Sequence, residues 1–331
     1  MKKIVFMGSD PIALPLLNYL RNEGKGDFTL IGVFSQPDRP TGRGHKLQPN
    51  PVSEWILGAN IPLLRPEQLT PVEYDWLKSN AVDLVFVMAY GHIIRFDFLN
   101  LPSLGMFNFH ASLLPKYRGA SPIETAIACG ETKTGVTLMK MATKMDTGPI
   151  VDQEALDILS NDVRQTVRQK MSEACVPLLK RNMEAILRGN PSLIEQDPSQ
   201  VSYTRKLSKE DGWINFQLSA KEIVNRYRAF EPWPGTFFNY QGTILKVSEV
   251  SWSRTLRSST PVGQIVEIDA QMMKIQTGDG VLQIGQLQRP GGRMLEIGEF
   301  IQGFPLKVGV ILESHGGQAL VSSVQFLRPH T

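Results

Sequence analysis

Short apolar runs separated by helix-like stretches most limit what this chain can fold into. "KKIVFMG" (2–8), "FTLIGVFS" (28–35), "DLVFVMAY" (83–90), "GMFNFHA" (105–111) and "GVTLMKMA" (135–142) are β-rich and nearly continuous in apolar residues. Strands buried on both faces read this way, whereas a sheet with one wet face alternates apolar and polar residues. Between the runs, residues 67–80 and 122–130 carry helical patterning. Asp10 followed by Pro11 is a helix start, and Pro15 is expected to limit or bend that first helix. Alternating strands and helices imply an α/β fold with a mostly parallel, Rossmann-like sheet covered on both faces. The longest apolar run, 84–90, is far below the ~20 residues that cross a bilayer. The N-terminal run stops at Gly8, too soon for the core of a secretory signal, and is read as a first strand. Cys129 and Cys175 make no disulfide framework. Both fall in helix-like stretches and are read as small core residues of a cytoplasmic protein.

Residues 161–189 read as one long helix with Val163, Val167, Met171, Ala174, Leu178 and Ile186 at helical spacing. Pro177 is expected to kink it and Gly189 to end it. The pattern then changes. "NPSLIEQDPSQVSYTRKLSKED" (190–211) is rich in Pro, Ser and charge, the composition of a linker. Residues 219–230 suggest a short helix. "GTFFNY", "TILKVSEV", "GQIVEI", "MMKIQT" and "VLQIGQLQ" are short strands broken by Gly and Pro, which suits a small OB-like β-barrel. The expected division is 1–190 for a catalytic domain, 191–207 for the linker and 208–331 for the barrel domain, with the stretch after 308 unassigned. Net charge is +3. Basic and acidic residues number 21 and 21 up to Gln200 and 14 and 11 beyond it, so the excess is C-terminal. That bias suits a polyanionic partner, and equally suits scatter in surface charge.

The chemistry is sought at strand ends, where open α/β sheets bind ligands. The turn "IVFMGSDP" offers one glycine where a dinucleotide fingerprint needs three, and no P-loop or zinc spacing is present. No metal is expected. In "GMFNFHA", Asn108 and His110 stand two residues apart and so face one side of a strand. An asparagine amide can hold a developing oxyanion, and histidine is the commonest proton carrier near neutral pH. Asp146, in the Gly-bounded loop "KMDTGPI", could orient the histidine from a neighbouring strand end. The plainer alternative is a histidine satisfied in the core or at a strand edge. Ser112 lies too close to His110 for a Ser-His-Asp triad and lacks the G-x-S-x-G context. The loop 35–51 is long, with four prolines and two glycines, and sets Arg39, Arg43, His45 and Lys46 against one acid, Asp38. Loops of this length tend to be functional, the alternative being a solvated basic loop.

"NFHASLLPKYRGASP" (108–122) and "KMDTGPI" (144–150) closely resemble the signature of enzymes that transfer formyl from 10-formyltetrahydrofolate. "QPDRPTGRGHKLQPNPV", "RAFEPWPGTFF" and "LQRPGGRM" resemble the tRNA-specific branch of that superfamily, the methionyl-tRNA formyltransferases. The likeness runs from Lys2 to about Lys307. It implies Asn108, His110 and Asp146 as the catalytic set and Ser112, Leu113, Leu114 and Pro115 as folate contacts. It implies Arg43, Lys46, Lys206 and Lys209 as tRNA contacts, 10-formyltetrahydrofolate as formyl donor and initiator methionyl-tRNA as acceptor, in a monomeric enzyme without a membrane partner. The turn "GSDPIALP" and Arg95 depart from the family pattern, and the stretch after Val308 matches none of it. Formyl transfer to a nucleotide sugar or purine precursor, hydrolysis of formyl-folate, and non-catalytic tRNA binding on an enzyme scaffold are the competing readings. The basic loop and barrel speak against the first, and the intact Asn108, His110 and Asp146 against the last.

Overall fold

The structure, a computed structural model, describes residues 1–24, 26–41, 44–254 and 260–326. The N-terminal half is built on a seven-stranded sheet in the order Ile150–Asp157, Lys133–Lys140, Gly105–His110, Leu84–Met88, Lys2–Gly8, Phe28–Phe34, Leu63–Leu64. From Gly105–His110 to Leu63–Leu64 the strands are parallel, and the first two add an antiparallel edge. The central strands are apolar over most of their length because each side feeds a separate core. Ile4, Phe6, Leu84 and Phe86 join the core beneath the helices Leu14–Asn22 and Arg164–Leu187. Val5, Met7, Val85 and Val87 join a second core with Leu77 and Phe98 on the other face. Each fully buried Leu or Phe contributes roughly 1.5–3 kcal/mol, so the two-sided strands hold the sheet together.

The first helix differs from expectation in a simple way. Asp10 accepts the Ile12 N–H and opens a 3-10 turn at Pro11–Ala13, and the α-helix Leu14–Asn22 follows. Pro15 lies in that helix's first turn, where its missing N–H would have had no partner, so it neither limits nor breaks it. The long helix Arg164–Leu187 runs through Pro177 and ends before Gly189, which has a φ of 76°. Val163 is the residue preceding the helix, while Val167, Met171, Ala174, Leu178 and Ile186 form its buried stripe. Cys175 is buried in that stripe, but Cys129 is exposed, because it caps the C-terminal end of the helix Pro122–Ala128.

The C-terminal half is a curled antiparallel sheet in the order Phe237–Tyr240, Thr243–Ser253, Val281–Gln288, Met273–Gln276, Ile265–Ile268, with Leu295–Glu296 added to Val281–Gln288. Phe238, Leu245, Ile275, Leu282 and Leu287 fill its core. The helix Ala220–Phe230, opened by a Ser219/Glu222 capping box, serves both halves. Its Ala220 and Ile223 lie in the barrel-side core and its Ala229 and Phe230 in the N-terminal core. Residues 190–211 run in contact with the first half. Ile194 pairs with Ile150, and Tyr203–Thr204 forms a small sheet between Arg118–Gly119 and Val321–Ser322.

Candidate active site

The Gly105–His110 strand delivers Asn108 and His110 to the C-terminal edge of the parallel sheet. Both line a cavity of about 500 Å³, together with Asp146 from the 141–149 loop. Tyr90, Ile94, Met139 and Met141 add an apolar wall. Among the described residues the Asn108 amide has no hydrogen-bonded protein partner, so its donors are available to a ligand.

His110 is 6% exposed, and its ring is fixed by a backbone group. Nε2 lies 2.9 Å from the Tyr117 carbonyl oxygen. A carbonyl only accepts, so Nε2 carries the proton and, in the neutral ring, Nδ1 is left with a free lone pair. Nδ1 faces Asp146 Oδ1 at 3.7 Å, beyond hydrogen-bond range. The other Asp146 oxygen accepts the Gly119 N–H at 2.8 Å. The orienting bond expected of Asp146 is therefore supplied by Tyr117, and the carboxylate stands by as a charge. Glu124 and Arg168, also in the wall, are paired with Arg164 (2.8 Å) and Asp10 respectively. His92 also lines the wall; burial and then the Arg39 charge push its imidazole below the ordinary value, which keeps it neutral near pH 7.

Tight backbone geometry brings these groups together. Tyr117 and Asp146 adopt left-handed φ values of 61° and 55°. A Cβ on Gly148 would sit 1.8 Å from the Lys140 carbonyl oxygen, and one on Gly119 would sit 2.3 Å from that of Thr204. Only glycine lets the Asp146 loop close on its strand and lets Arg118–Gly119 pair with Tyr203–Thr204.

The remaining residues singled out from sequence lie elsewhere. Ser112 and Leu114 are buried behind the strand end. Ser112 Oγ donates to the Lys116 carbonyl, the Leu114 N–H donates to Thr137 Oγ1, and Gln153 Nε2 donates to the Leu114 carbonyl. Ser112, Leu113, Leu114 and Pro115 do not line the cavity. Lys46 is exposed on a hairpin of Arg39–Thr41 with Lys46–Gln48, and Arg43 lies outside the described residues. Lys206 is exposed. Lys209 borders a second cavity of about 480 Å³ with Trp213, Phe237, Lys246 and Arg289. Sequence reasoning passed over Tyr117, Gly119, Arg118 and Gln196. The first three stand inside the quoted signature, but their part is played by backbone groups or by a contact with residue 196. Gln196 sits in a stretch with no pattern at all.

Comparison with known proteins places the chain in a family. Residues 1–182 match the formyl transferase family and residues 206–305 its C-terminal domain. The methionyl-tRNA formyltransferase of Clostridioides difficile is 37% identical over 314 residues, covering 94% of this chain and 99% of that protein. That of Caldicellulosiruptor saccharolyticus is 36% identical over 93% of this chain and 99% of its own length. Among solved structures, the N-formyltransferase from Helicobacter canadensis, in complex with folinic acid and dTDP-3-aminofucose, shares the fold. Its TM-score is 0.64 at 23% identity, over 88% of this chain and 100% of that one. With both family domains in order and these relatives matched end to end, the chain belongs to the methionyl-tRNA formyltransferase family.

Proposed function

We propose that this enzyme transfers the formyl group of 10-formyltetrahydrofolate to the α-amino group of initiator methionyl-tRNA, acting as a cytoplasmic monomer. Residues 1–190 carry the chemistry, 191–207 join the halves and 208–331 engage the tRNA. The observation that carries the reading is the convergence of three groups on one cavity: an unengaged Asn108 amide, a His110 Nδ1 lone pair, and the Asp146 carboxylate 3.7 Å from it. The cavity's volume and mixed wall suit a bicyclic ring with a few polar anchors. The folate supplies an activated formyl carbon.

The chain's residues do the rest. An α-amino group has a pKa near ~7.7–8.0 in simple peptides, and an esterified carboxyl lowers it, so the amine attacks without a covalent enzyme intermediate. As the new C–N bond forms, charge collects on the formyl oxygen, and the Asn108 Nδ2–H groups are placed to receive it. The amine's surplus proton passes to His110 Nδ1. The resulting imidazolium is stabilised on one side by the Asp146 carboxylate and on the other by the Tyr117 carbonyl. The same nitrogen returns the proton to the departing folate nitrogen as the old C–N bond breaks. No metal takes part in this scheme. Lys209, beside Trp213, Lys246 and Arg289, offers cations and a stacking surface to a nucleic acid, and Arg43, Lys46 and Lys206 are taken as further cationic contacts to the tRNA. Ser112 to Pro115 support the folate side of the site through the strand end that they brace.

The test gives purified protein formyl-tetrahydrofolate with initiator methionyl-tRNA, elongator methionyl-tRNA, or water alone. Formylation of the initiator tRNA and of neither other acceptor is expected. Release of formate at the same rate without tRNA would replace this reading with hydrolysis.

A further inference from the structure

We propose that Gln196 is a positioning residue for formyl transfer, a buried strut from the segment between the two halves that holds Asp146 against His110. The inference rests on the catalytic roles proposed above for those two residues.

Between Pro191 and Gln200, Gln196 is the one buried residue, at 8% exposure in an otherwise half-exposed or exposed stretch. A glutamine buried there needs partners, and it has a full set. Its Oε1 accepts from Arg118 Nε at 3.1 Å and from Arg118 Nη2 at 2.7 Å. Its Nε2 donates to the Asp146 carbonyl at 2.9 Å and the Gly148 carbonyl at 2.8 Å. Two acceptor sites and two donor hydrogens are the whole capacity of an amide side chain. Glutamate would lose both donations, and asparagine is one methylene short of the span.

The four bonds join the loop that carries Asp146 to the loop that follows the His110 strand. Arg118 follows Tyr117, whose carbonyl fixes the His110 ring. Asp146 bears the carboxylate and holds a left-handed backbone, a conformation that a non-glycine residue keeps where its surroundings over-determine it. Its side chain is tied by Gly119 N–H and its carbonyl by Gln196. The 3.7 Å separation of Nδ1 from Oδ1 lies between a ring held by the Tyr117 carbonyl of one loop and a carboxylate on the other, and the strut that spans the two loops holds it. Ser202 extends the brace: its Oγ accepts the Tyr117 N–H at 2.9 Å and its carbonyl accepts the Arg118 N–H at 2.8 Å. The segment leading to the tRNA-binding half is thereby built into the catalytic geometry.

The experiment compares full-length wild type with Gln196→Met, which keeps the shape and loses all four bonds, and Gln196→Glu, which keeps the Arg118 contacts and turns a carboxylate on two carbonyls. Leu20→Ala, a cavity in the same N-terminal core, controls for lost stability. Single-turnover formylation of methionyl-tRNA should fall about 10–100-fold in both Gln196 variants, with KM for either substrate within about twofold. Leu20→Ala should keep the wild-type rate. The ring resonances of His110 in histidine-labelled protein should shift in both Gln196 variants and stay fixed in Leu20→Ala. A wild-type rate with unmoved resonances in Gln196→Met would overturn the proposal, as would full rescue by Gln196→Glu or an equal rate loss in Leu20→Ala. If wild type formylates no aminoacyl-tRNA, the functional reading fails instead, and the His110 resonances still decide whether the strut positions the pair.

Discussion

At the scale of single residues, the site turns on which nitrogen of His110 is engaged. Tyr117, through its carbonyl, occupies Nε2 and thereby leaves Nδ1 to the cavity and to Asp146. Asp146→Asn separates charge from shape. Asparagine keeps an oxygen for the Gly119 N–H, so the loop stays closed, but the charge beside Nδ1 is gone. The single-turnover rate is expected to fall about 10²–10⁴-fold with the melting temperature nearly unchanged. A rate within threefold of wild type would remove Asp146 from the mechanism. Asn108 and His110 were legible as a pair because two-residue spacing on a strand puts side chains on one face whatever the surroundings. Asp146 was legible through its Gly-bounded loop. The Tyr117 carbonyl and the Gln196 amide were not, because a backbone acceptor has no residue signature and Gln196 finds its partners 48 to 78 positions away.

Among the elements, the buried strands announced themselves by continuous apolarity, while the edge did not. Ile150–Asp157 carries Asp152, Glu154 and Asp157, and it is buried mainly at its start, so neither strand pattern appears in its sequence. Residues 190–211 read as a linker because, Leu207 apart, their fixed points are mostly polar. Arg205 is one. Its guanidinium donates to Asp211 at 2.8 Å and to the carbonyls of Gln318 and Ala319 at 3.0 and 2.9 Å. Burial alone would raise the Asp211 carboxyl, but Arg205 and the Ser208 N–H outweigh it and hold its pKa below the usual carboxylate range. A carboxyl depressed in the folded state adds stability that is complete above its unfolded value, about 3.9, and that is lost as pH falls through the folded value. The urea midpoint of wild type should therefore drop more steeply below about pH 4 than that of Asp211→Asn, and equal slopes would show that the pair carries no such linkage. Arg205→Ala, which strands a buried carboxylate, should cost about 3–5 kcal/mol at neutral pH. On the barrel side, Lys246→Ala tests the second cavity. If Lys246 meets a phosphate, the slope of log affinity for tRNA against log salt should fall by about 0.9, with folate binding untouched. An unchanged slope would place the tRNA on another face.

In the whole molecule the two halves are not separable at the linker, because the C-terminal half supplies part of the N-terminal core. Ala229 and Phe230 of the Ala220–Phe230 helix belong to the N-terminal core, and Arg228 donates to the carbonyls of Leu159 and Asp162. The C-terminal stretch, which resembled nothing in sequence, completes the tie. Leu312 lies in the barrel-side core, and the His315 ring packs on Trp213 with centroids 4.4 Å apart. Leu320, 5% exposed, then reaches the N-terminal core, and Val321–Ser322 pairs with Tyr203–Thr204. A two-residue strand whose partner lies more than a hundred positions away leaves no local pattern to read. Ending the chain after Ser314 removes the His315 contact, the two carbonyls that Arg205 uses, Leu320 and the third strand, while Leu312 and both cavities stay. Losing the Leu320 burial together with the Arg205 and His315 contacts should cost on the order of 3 kcal/mol, a fall of several degrees in melting temperature. Leu320→Asp in the full chain should reproduce most of that fall. Because Tyr203–Thr204 still pairs with Arg118–Gly119 after the truncation, the shortened enzyme should keep formyl-folate affinity within about threefold of wild type. A truncated chain that melts with the full one would mean that the strap bears no load between the halves, and the helix Ala220–Phe230 would then be left as their principal joint.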